Sequence, residues 1–166
     1  MSIAESVARA SAYLAEHPEE ARYRDSSARA RLESGLVVTV TGAAGESLQT
    51  DMPLGIGGTA TAPSPGWFLR AAAASCVVSL IAIRAAATNV TIMAIEVEVD
   101  SESDDRGILG LEATIPAGAL STRVIASVDA AGLDHAALEA LVRWAVEHCP
   151  VTDSIGRAVP LELELR

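Results

Sequence analysis

The sequence contains no lysine and only five aromatic residues among its 166 positions. All 12 basic side chains are therefore arginines, and 22 acidic residues bring the formal net charge to −10. A chain of this charge repels phosphate backbones, and so few rings leave little on which bases could stack. The composition argues against nucleic acid as a partner.

A long hydrophobic segment is also missing. The longest apolar stretch lies between Arg70 and Arg84, which is shorter than the roughly 20 residues needed to cross a bilayer. The N-terminal segment carries Glu5 and Arg9 where the apolar part of a secretory signal would lie. We therefore expect a cytoplasmic protein with no membrane partner.

Cysteine is scarce as well. Cys76 and Cys149 are the only two, there is no CxxC motif, and three scattered histidines do not complete a zinc site. We expect no metal and no cofactor. A permanent disulfide is not expected in a reducing cytoplasm, which leaves the thiols free, metal-bound or transiently oxidised.

The surroundings of the two cysteines differ. Cys76 lies in the apolar run AAAASCVVSL, where a thiol is a small hydrophobic group with a raised pKa. Cys149 precedes Pro150, where a helix is predicted to begin, and a helix start favours the thiolate. Local chemistry therefore ranks Cys149 as the more reactive thiol.

The N-terminal half of the chain predicts two helices separated by strands. Ser2 and Glu5 form a capping box ahead of an amphipathic helix over residues 3 to about 17. Three short strands with glycine-containing turns are predicted within residues 28–52, followed by a loop over residues 53–66. From Trp67 to about Ala87 the residues are almost wholly apolar, which predicts a helix buried on every side.

The C-terminal half predicts the remaining strands and helices. Strands are expected at residues 95–100, 122–130 and 159–166 because apolar and polar residues alternate there. Asp134 is predicted to cap a helix, and Pro150 to open a short helix that ends near Gly156. Clustered strands of this kind indicate one α+β domain with a mainly antiparallel sheet.

Three segments of the sequence resemble the OsmC/Ohr family, the osmotically inducible protein C and organic hydroperoxide resistance proteins. They are SPGWFLRAAAASC, IEVEVDSESDDRGILG, and LVRWAVEHCPVTDSI before a final strand. The resemblance runs from about Ala28 to the C-terminus. It implies an OsmC-like fold over residues 28–166, with residues 1–27 as a helical extension. It also implies an intertwined homodimer with its active sites at the subunit boundary.

The resemblance implies a thiol peroxidase that reduces organic hydroperoxides. By position, Cys76 matches the peroxidatic cysteine of the family and Cys149 matches the resolving cysteine. An external dithiol, of the lipoyl type, would then reduce the disulfide. The resemblance thus reverses the ranking from local chemistry, because a buried thiol can be activated by an arginine that sequence spacing does not reveal.

The sequence departs from the family pattern at the activating groups. Gly66 follows Pro65 where the family has a glutamate. Arg31 is the best-placed candidate for the activating arginine, and Arg29 is the second. Arg70 lies about 240° around the helix from Cys76 and is expected to pair with a surface carboxylate.

Two other interpretations stay open. Because Gly66 replaces the family's glutamate, the domain could bind a small apolar or electrophilic ligand without turnover, or both cysteines could be structural. His148 precedes Cys149, but adjacent helical residues point about 100° apart. His148 is therefore interpreted as a surface histidine rather than as a base for Cys149. Trp67 and Phe68 are interpreted mainly as core residues, with an apolar substrate pocket as the alternative.

Overall fold

The structure is a computed structural model, and it describes residues 1–165. Across these residues it has five α-helices and five strands in two antiparallel sheets, as the predicted α+β class requires. The chain divides into two compact units. One comprises Met1–Ala8 and Arg70–Arg166, and the other comprises Arg9–Leu69.

Helix α1 spans Ile3–Glu16 and begins with the predicted capping box. The Ser2 amide donates to Glu5 Oε2 at 2.7 Å, and the Glu5 amide donates to Ser2 Oγ at 3.1 Å. This reciprocal pair satisfies two amides that a helix start otherwise leaves without partners. A short 3-10 helix, Pro18–Ala21, follows α1. The division into an extension over residues 1–27 and a domain over residues 28–166 stays a prediction.

The three predicted N-terminal strands form one antiparallel meander. Strands β1 (Arg29–Ser34), β2 (Val37–Thr41) and β3 (Ser47–Thr50) lie in the order β1-β2-β3. Gly35, in the turn between β1 and β2, has a φ of +56°, which glycine adopts without steric cost. All six residues of β1 are exposed.

A buried carboxylate organises the loop that follows β3. Asp51 Oδ2 accepts hydrogen bonds from the amide and hydroxyl of Thr59 at 3.1 and 2.6 Å, and from the amide and hydroxyl of Thr61, both at 3.0 Å. Asp51 Oδ1 accepts from the Met52 amide at 2.7 Å. The predicted loop is confirmed, although it contains one 3-10 turn at Leu54–Ile56. No local sequence pattern marks Asp51 as the organiser of this loop.

Helix α2, Pro65–Ala87, is the predicted central helix, but its burial differs from the expectation. Its fully buried residues form one stripe with a spacing of four: Ala73, Val77, Ile81 and Ala85. The prediction of burial on every side is not met within the single chain, where the other faces of α2 are half-buried or exposed. The length and composition of α2 also suffice to cross a membrane, a criterion that core helices of soluble proteins meet as well.

The second sheet pairs two strands. β4 (Ile92–Glu102) and β5 (Ser121–Ala130) are antiparallel, with Ile95 opposite Val128 and Val97 opposite Ala126. Alternate residues of β5 are half-buried, and several pack against the core. The period-two pattern of both strands is therefore confirmed. Between them lies a short helix, α3 (Asp105–Ile108).

Two consecutive helices complete the core. α4 spans His135–His148, and the Asp134 side chain caps it by accepting from the Ala137 amide at 2.9 Å. α5 spans Pro150–Gly156. Both helices were predicted. Leu141 and Ala145 of α4 are buried in one cluster with the apolar stripe of α2.

The predicted final strand is not formed in residues 159–165, and Arg166 lies outside the described residues. Leu161, Leu163 and Leu165 are 96, 95 and 94% exposed. Alternating apolar and charged residues indicate a strand with two different faces, but a strand also needs a neighbouring edge for its backbone hydrogen bonds. The prediction is wrong for this structure, because residues 159–165 pair with none of the strands β1 to β5.

Candidate active site

Two elements bring the cysteines together. Cys76 lies on α2 beside the buried Val77, and Cys149 lies between α4 and α5, fully buried in the same apolar cluster. Cys76 is half-buried and packs against that cluster. Both thiols are free, and they lie close enough for each to shift the pKa of the other. The structure therefore brings together two cysteines that lie far apart in the sequence.

The α4–α5 junction fixes the position of Cys149. The Cys149 backbone is extended (φ −78°, ψ 118°), and its Sγ accepts from the Thr152 amide at 3.5 Å. The Thr152 hydroxyl donates to the carbonyl oxygens of Val146 at 2.6 Å and Cys149 at 3.1 Å. Thr152 thus bridges the end of α4 and the start of α5. This turn holds the sulfur against Cys76.

The two thiols have opposite tendencies to ionise. Burial raises the pKa of Cys76, the hydrogen bond to Cys149 and its charge raise it further, and the Val151 amide offsets this only in part. Burial also opposes ionisation of Cys149. Hydrogen bonds from Cys76, from the amide and hydroxyl of Thr152, and from the Val151 amide outweigh it and lower the pKa of Cys149. Because the two thiols influence each other, they titrate as one coupled pair.

The predicted activating arginine has a carboxylate partner on its own strand. Arg31 Nη2 lies 3.0 Å from Glu33 Oε1, and the Arg31 side chain is 80% exposed. Arg29, the second candidate, is exposed on the same strand. Gly66 lies in the first turn of α2. The role of Arg31 toward Cys76 stays a prediction.

Two further candidates have partners of their own. Arg70 Nη1 donates to Ser101 Oγ at 3.2 Å, so the expectation of a carboxylate partner for Arg70 is wrong. His148 Nδ1 lies 2.8 Å from the Trp144 carbonyl oxygen, and its ring stacks on the Trp144 indole with centroids 4.1 Å apart. This exposed position agrees with the interpretation of His148 as a surface residue.

The ring pair at the start of α2 is only partly covered. Trp67 is 48% exposed and meets Phe68 edge to face, with ring centroids 5.2 Å apart. Core packing is therefore the wrong interpretation for Trp67. Whether these rings line a substrate pocket stays a prediction.

An apolar groove of about 500 Å³ lies between β5 and α4. Its walls are formed by Val124, Ala126 and Val128 of β5 and by Leu138, Val142 and Val146 of α4. Cys76 and Cys149 are not among the residues that line it. The groove is therefore separate from the thiol contact.

One group of side chains has the composition of a metal site. Ligand atoms of His17, Glu19 and Glu20 lie within 4.8 Å of one another, among the described residues. Both carboxylates are exposed, and Glu20 already accepts a hydrogen bond from the Tyr13 hydroxyl at 2.7 Å. Neither cysteine belongs to this group.

Fold and site together define an α+β protein with a thiol pair in the core of one unit. A family model described as OsmC-like protein matches residues 58–164. The chain belongs to this family. A search of curated proteins gave no match.

Solved structures share the fold at low sequence identity. An OsmC-like protein from Mycoplasma pneumoniae superposes with a TM-score of 0.69 at 14% identity, covering 81% of this chain and 89% of that one. The organic hydroperoxide resistance protein OsmC from Legionella pneumophila gives a TM-score of 0.58 at 23% identity, covering 81% and 90%. The organic hydroperoxide resistance protein OhrB of Bacillus subtilis gives 0.51 at 22%, covering 79% and 90%. At these identities the likeness establishes the fold.

Proposed function

We propose that this protein is a cysteine-based peroxidase that reduces organic hydroperoxides. The observation that carries the proposal is the packing of Cys76 against the buried cluster that contains Cys149, with both thiols free. Two such thiols can form a disulfide when their Cα atoms lie about 4.4–6.8 Å apart. Family membership supports the same chemistry, since two of the solved relatives are named for organic hydroperoxide resistance.

In the proposed reaction the Cys76 sulfur attacks the terminal oxygen of the hydroperoxide. The O–O bond breaks, the alkoxide takes a proton and leaves as an alcohol, and Cys76 becomes a sulfenic acid. The Cys149 sulfur then attacks the Cys76 sulfur, and hydroxide leaves as water. The two electrons that reduce the peroxide come from the thiol pair. An external dithiol, for which a lipoyl-type group is the proposed candidate, restores them.

The proposed substrate preference follows from the surroundings of Cys76. The thiol is half-buried on an apolar helix between Ser75 and Val77 and packs against an apolar cluster. Each methylene of a substrate that becomes buried contributes about 0.8 kcal/mol. An alkyl or aryl hydroperoxide should therefore react faster than hydrogen peroxide, by one or two orders of magnitude for a few buried carbons.

The test is oxidation of the pure protein with one equivalent of cumene hydroperoxide. Intact mass should fall by two hydrogens, and peptide mapping should find a crosslink between Cys76 and Cys149. Cys76→Ser and Cys149→Ser serve as matched controls, since neither can form the crosslink. Overoxidised Cys76 with Cys149 untouched would contradict the resolving role.

A second candidate function is favoured by one sequence feature. Gly66 stands where the family has a glutamate, so a domain that binds a small apolar or electrophilic ligand without turnover is the alternative. Steady consumption of cumene hydroperoxide with dihydrolipoamide as reductant excludes a pure binding module. Binding without consumption establishes that module instead.

We also propose that the protein acts in the cytoplasm as a homodimer. Support for the dimer comes from residues that the single chain leaves uncovered. The apolar helix α2 is fully buried along one stripe only, and three alternating leucines at residues 161–165 are almost wholly exposed. We propose that a second copy of the chain covers both of these surfaces, because most soluble oligomers are symmetric assemblies of identical chains.

A further inference from the structure

We propose that Arg84 is a positioning residue that holds α2 and α4 in the arrangement in which Cys76 and Cys149 meet. Arg84 lies eight residues after Cys76 on α2. That spacing is about 12 Å along the helix axis, so Arg84 acts on the thiols through the helices that carry them. The inference rests on the proposed function, because the disulfide of that reaction forms only when the two sulfurs come together.

The side chain of Arg84 reaches across to α4 and lies over an aromatic ring there. The Arg84 guanidinium carbon is 4.7 Å from the centroid of the Trp144 ring. A cation within about 6 Å of a ring centroid is attracted to the face of the ring, and indole attracts it most strongly. Both residues are half-buried, and Trp144 packs against the apolar cluster of the core. Partial burial strengthens the contact, because less water competes for the cation.

A second side chain ties the Trp144 ring to the end of α4. His148 stacks on the indole with ring centroids 4.1 Å apart and planes 16° apart, and its Nδ1 lies 2.8 Å from the Trp144 carbonyl oxygen. His148 is the last residue of α4 and directly precedes Cys149. Arg84 therefore contacts a ring that is fixed to the end of α4 at which Cys149 lies.

The buried residues that pack α2 against α4 have little directional character. They are all aliphatic: Val77, Ile81 and Ala85 of α2, with Leu141 and Ala145 of α4. The hydrophobic effect depends on buried area and not on direction, whereas a cation–π contact requires the cation to lie over the ring face. The contact of Arg84 with Trp144 therefore sets the rotation of α2 against α4. Such a rotation moves the Cys76 sulfur around the helix axis relative to Cys149.

The experiment measures how well the folded protein positions its thiols, in buffers of reduced and oxidised glutathione. The two thiols lose two protons and two electrons as the Cys76–Cys149 disulfide forms, and one oxidised glutathione gains them and becomes two reduced molecules. Intact mass separates this disulfide from glutathione adducts. The glutathione ratio at half oxidation gives the effective concentration of one thiol toward the other.

Arg84→Met removes the cation and keeps a long apolar side chain. It should lower the effective concentration by about 2- to 30-fold, the range that cation–π contacts span from exposed to desolvated sites. Arg70→Met is the matched control, since Arg70 is a half-buried arginine of the same helix that donates to Ser101 of β4. This control should keep the wild-type value. An unchanged value in Arg84→Met, or an equal fall in Arg70→Met, overturns the inference.

A double-mutant cycle tests whether Arg84 acts through the indole. Trp144→Leu should lower the effective concentration, and adding Arg84→Met to it should lower the value no further. Losses that simply add would show that the two side chains act independently, and would overturn the inference.

The positioning role and the peroxidase function fail in different experiments. The glutathione titration involves no hydroperoxide, so an unchanged Arg84→Met overturns only the positioning role. Failure of cumene hydroperoxide to oxidise Cys76 overturns only the peroxidase function. Wild-type protein that forms no Cys76–Cys149 disulfide at any glutathione ratio overturns the positioning role and the resolving role of Cys149 together.

Discussion

At the scale of residues, local chemistry predicted the ionisation of the thiols but not their contact. The position of Cys149 before Pro150 favoured a thiolate, and the apolar surroundings of Cys76 disfavoured one. Both pKa directions agree with those expectations. The contact depends on how α2 packs against α4, which no local pattern encodes. The family resemblance, rather than spacing, predicted that the two cysteines work together.

The structural role of Asp51 could not be predicted from the sequence. An aspartate in a Gly- and Thr-rich loop is ordinary, and only the fold of the loop brings Thr59 and Thr61 to one carboxylate oxygen. The Thr59 hydroxyl first, and then the Thr61 amide, hold the pKa of Asp51 well below its usual range, although burial opposes them. A lowered pKa means that the folded protein favours the ionised form.

We predict that Asp51→Asn lowers Tm by several degrees at pH 7, because the amide group cannot accept all five bonds at full strength. The stabilisation by ionised Asp51 is fully present above its unfolded pKa of about 3.9 and is lost as the pH falls through the lower folded pKa. The variant should therefore lose less stability than the wild type between pH 5 and pH 2.

Thermal melts across that pH range test this prediction. Asp25→Asn is the matched control, since Asp25 is exposed in a segment outside helices and strands. Equal losses of Tm for Asp51→Asn and Asp25→Asn would contradict the proposed role of the buried carboxylate.

At the scale of elements, capping residues were the most informative local signals. Ser2 with Glu5, Asp134 and Pro150 marked helix starts that the structure shows. These signals succeed because each acts within the first turn of its helix. The side chains of Ser2, Glu5 and Asp134 form hydrogen bonds with nearby backbone amides, and Pro150 supplies the φ of a first helical residue. The burial of α2 and of residues 159–165 was predicted wrongly. Their burial depends on contacts with residues far away in the sequence or in a second chain, which local patterns do not reveal.

We predict that Asp134→Ala destabilises the protein by about 1 kcal/mol, within a range of roughly 0.5–2 kcal/mol. The variant leaves the Ala137 amide at the start of α4 without its side-chain acceptor. Asp134→Asn is the matched control, because asparagine caps helices about as well as aspartate. Urea unfolding provides the measurement. A similar shift of the midpoint in both variants would show that charge, rather than capping, is what Asp134 contributes.

At the scale of the whole molecule, the single chain leaves much apolar surface uncovered. α2 is fully buried on one stripe only, and Leu161, Leu163 and Leu165 face solvent. Monomeric soluble proteins rarely expose contiguous apolar patches of large area. The net charge of −10 favours solubility but does not cover such surface. A chain with these properties is expected to associate with a partner.

The last prediction tests whether the alternating leucines contribute to that association. Replacing Leu161, Leu163 and Leu165 together with serine should weaken the proposed homodimer. Burying one leucine contributes roughly 1.5–3 kcal/mol, so the loss of three should raise the dimer dissociation constant by on the order of a thousandfold or more. Light scattering at micromolar concentration should give twice the chain mass of 17.1 kDa for the wild type and the single chain mass for the variant. Glu162→Gln, on the alternate face of the same segment, should remain dimeric. A monomeric wild type would contradict the dimer itself, whereas a dimeric triple variant would show that another surface, such as the uncovered side of α2, holds the two copies together.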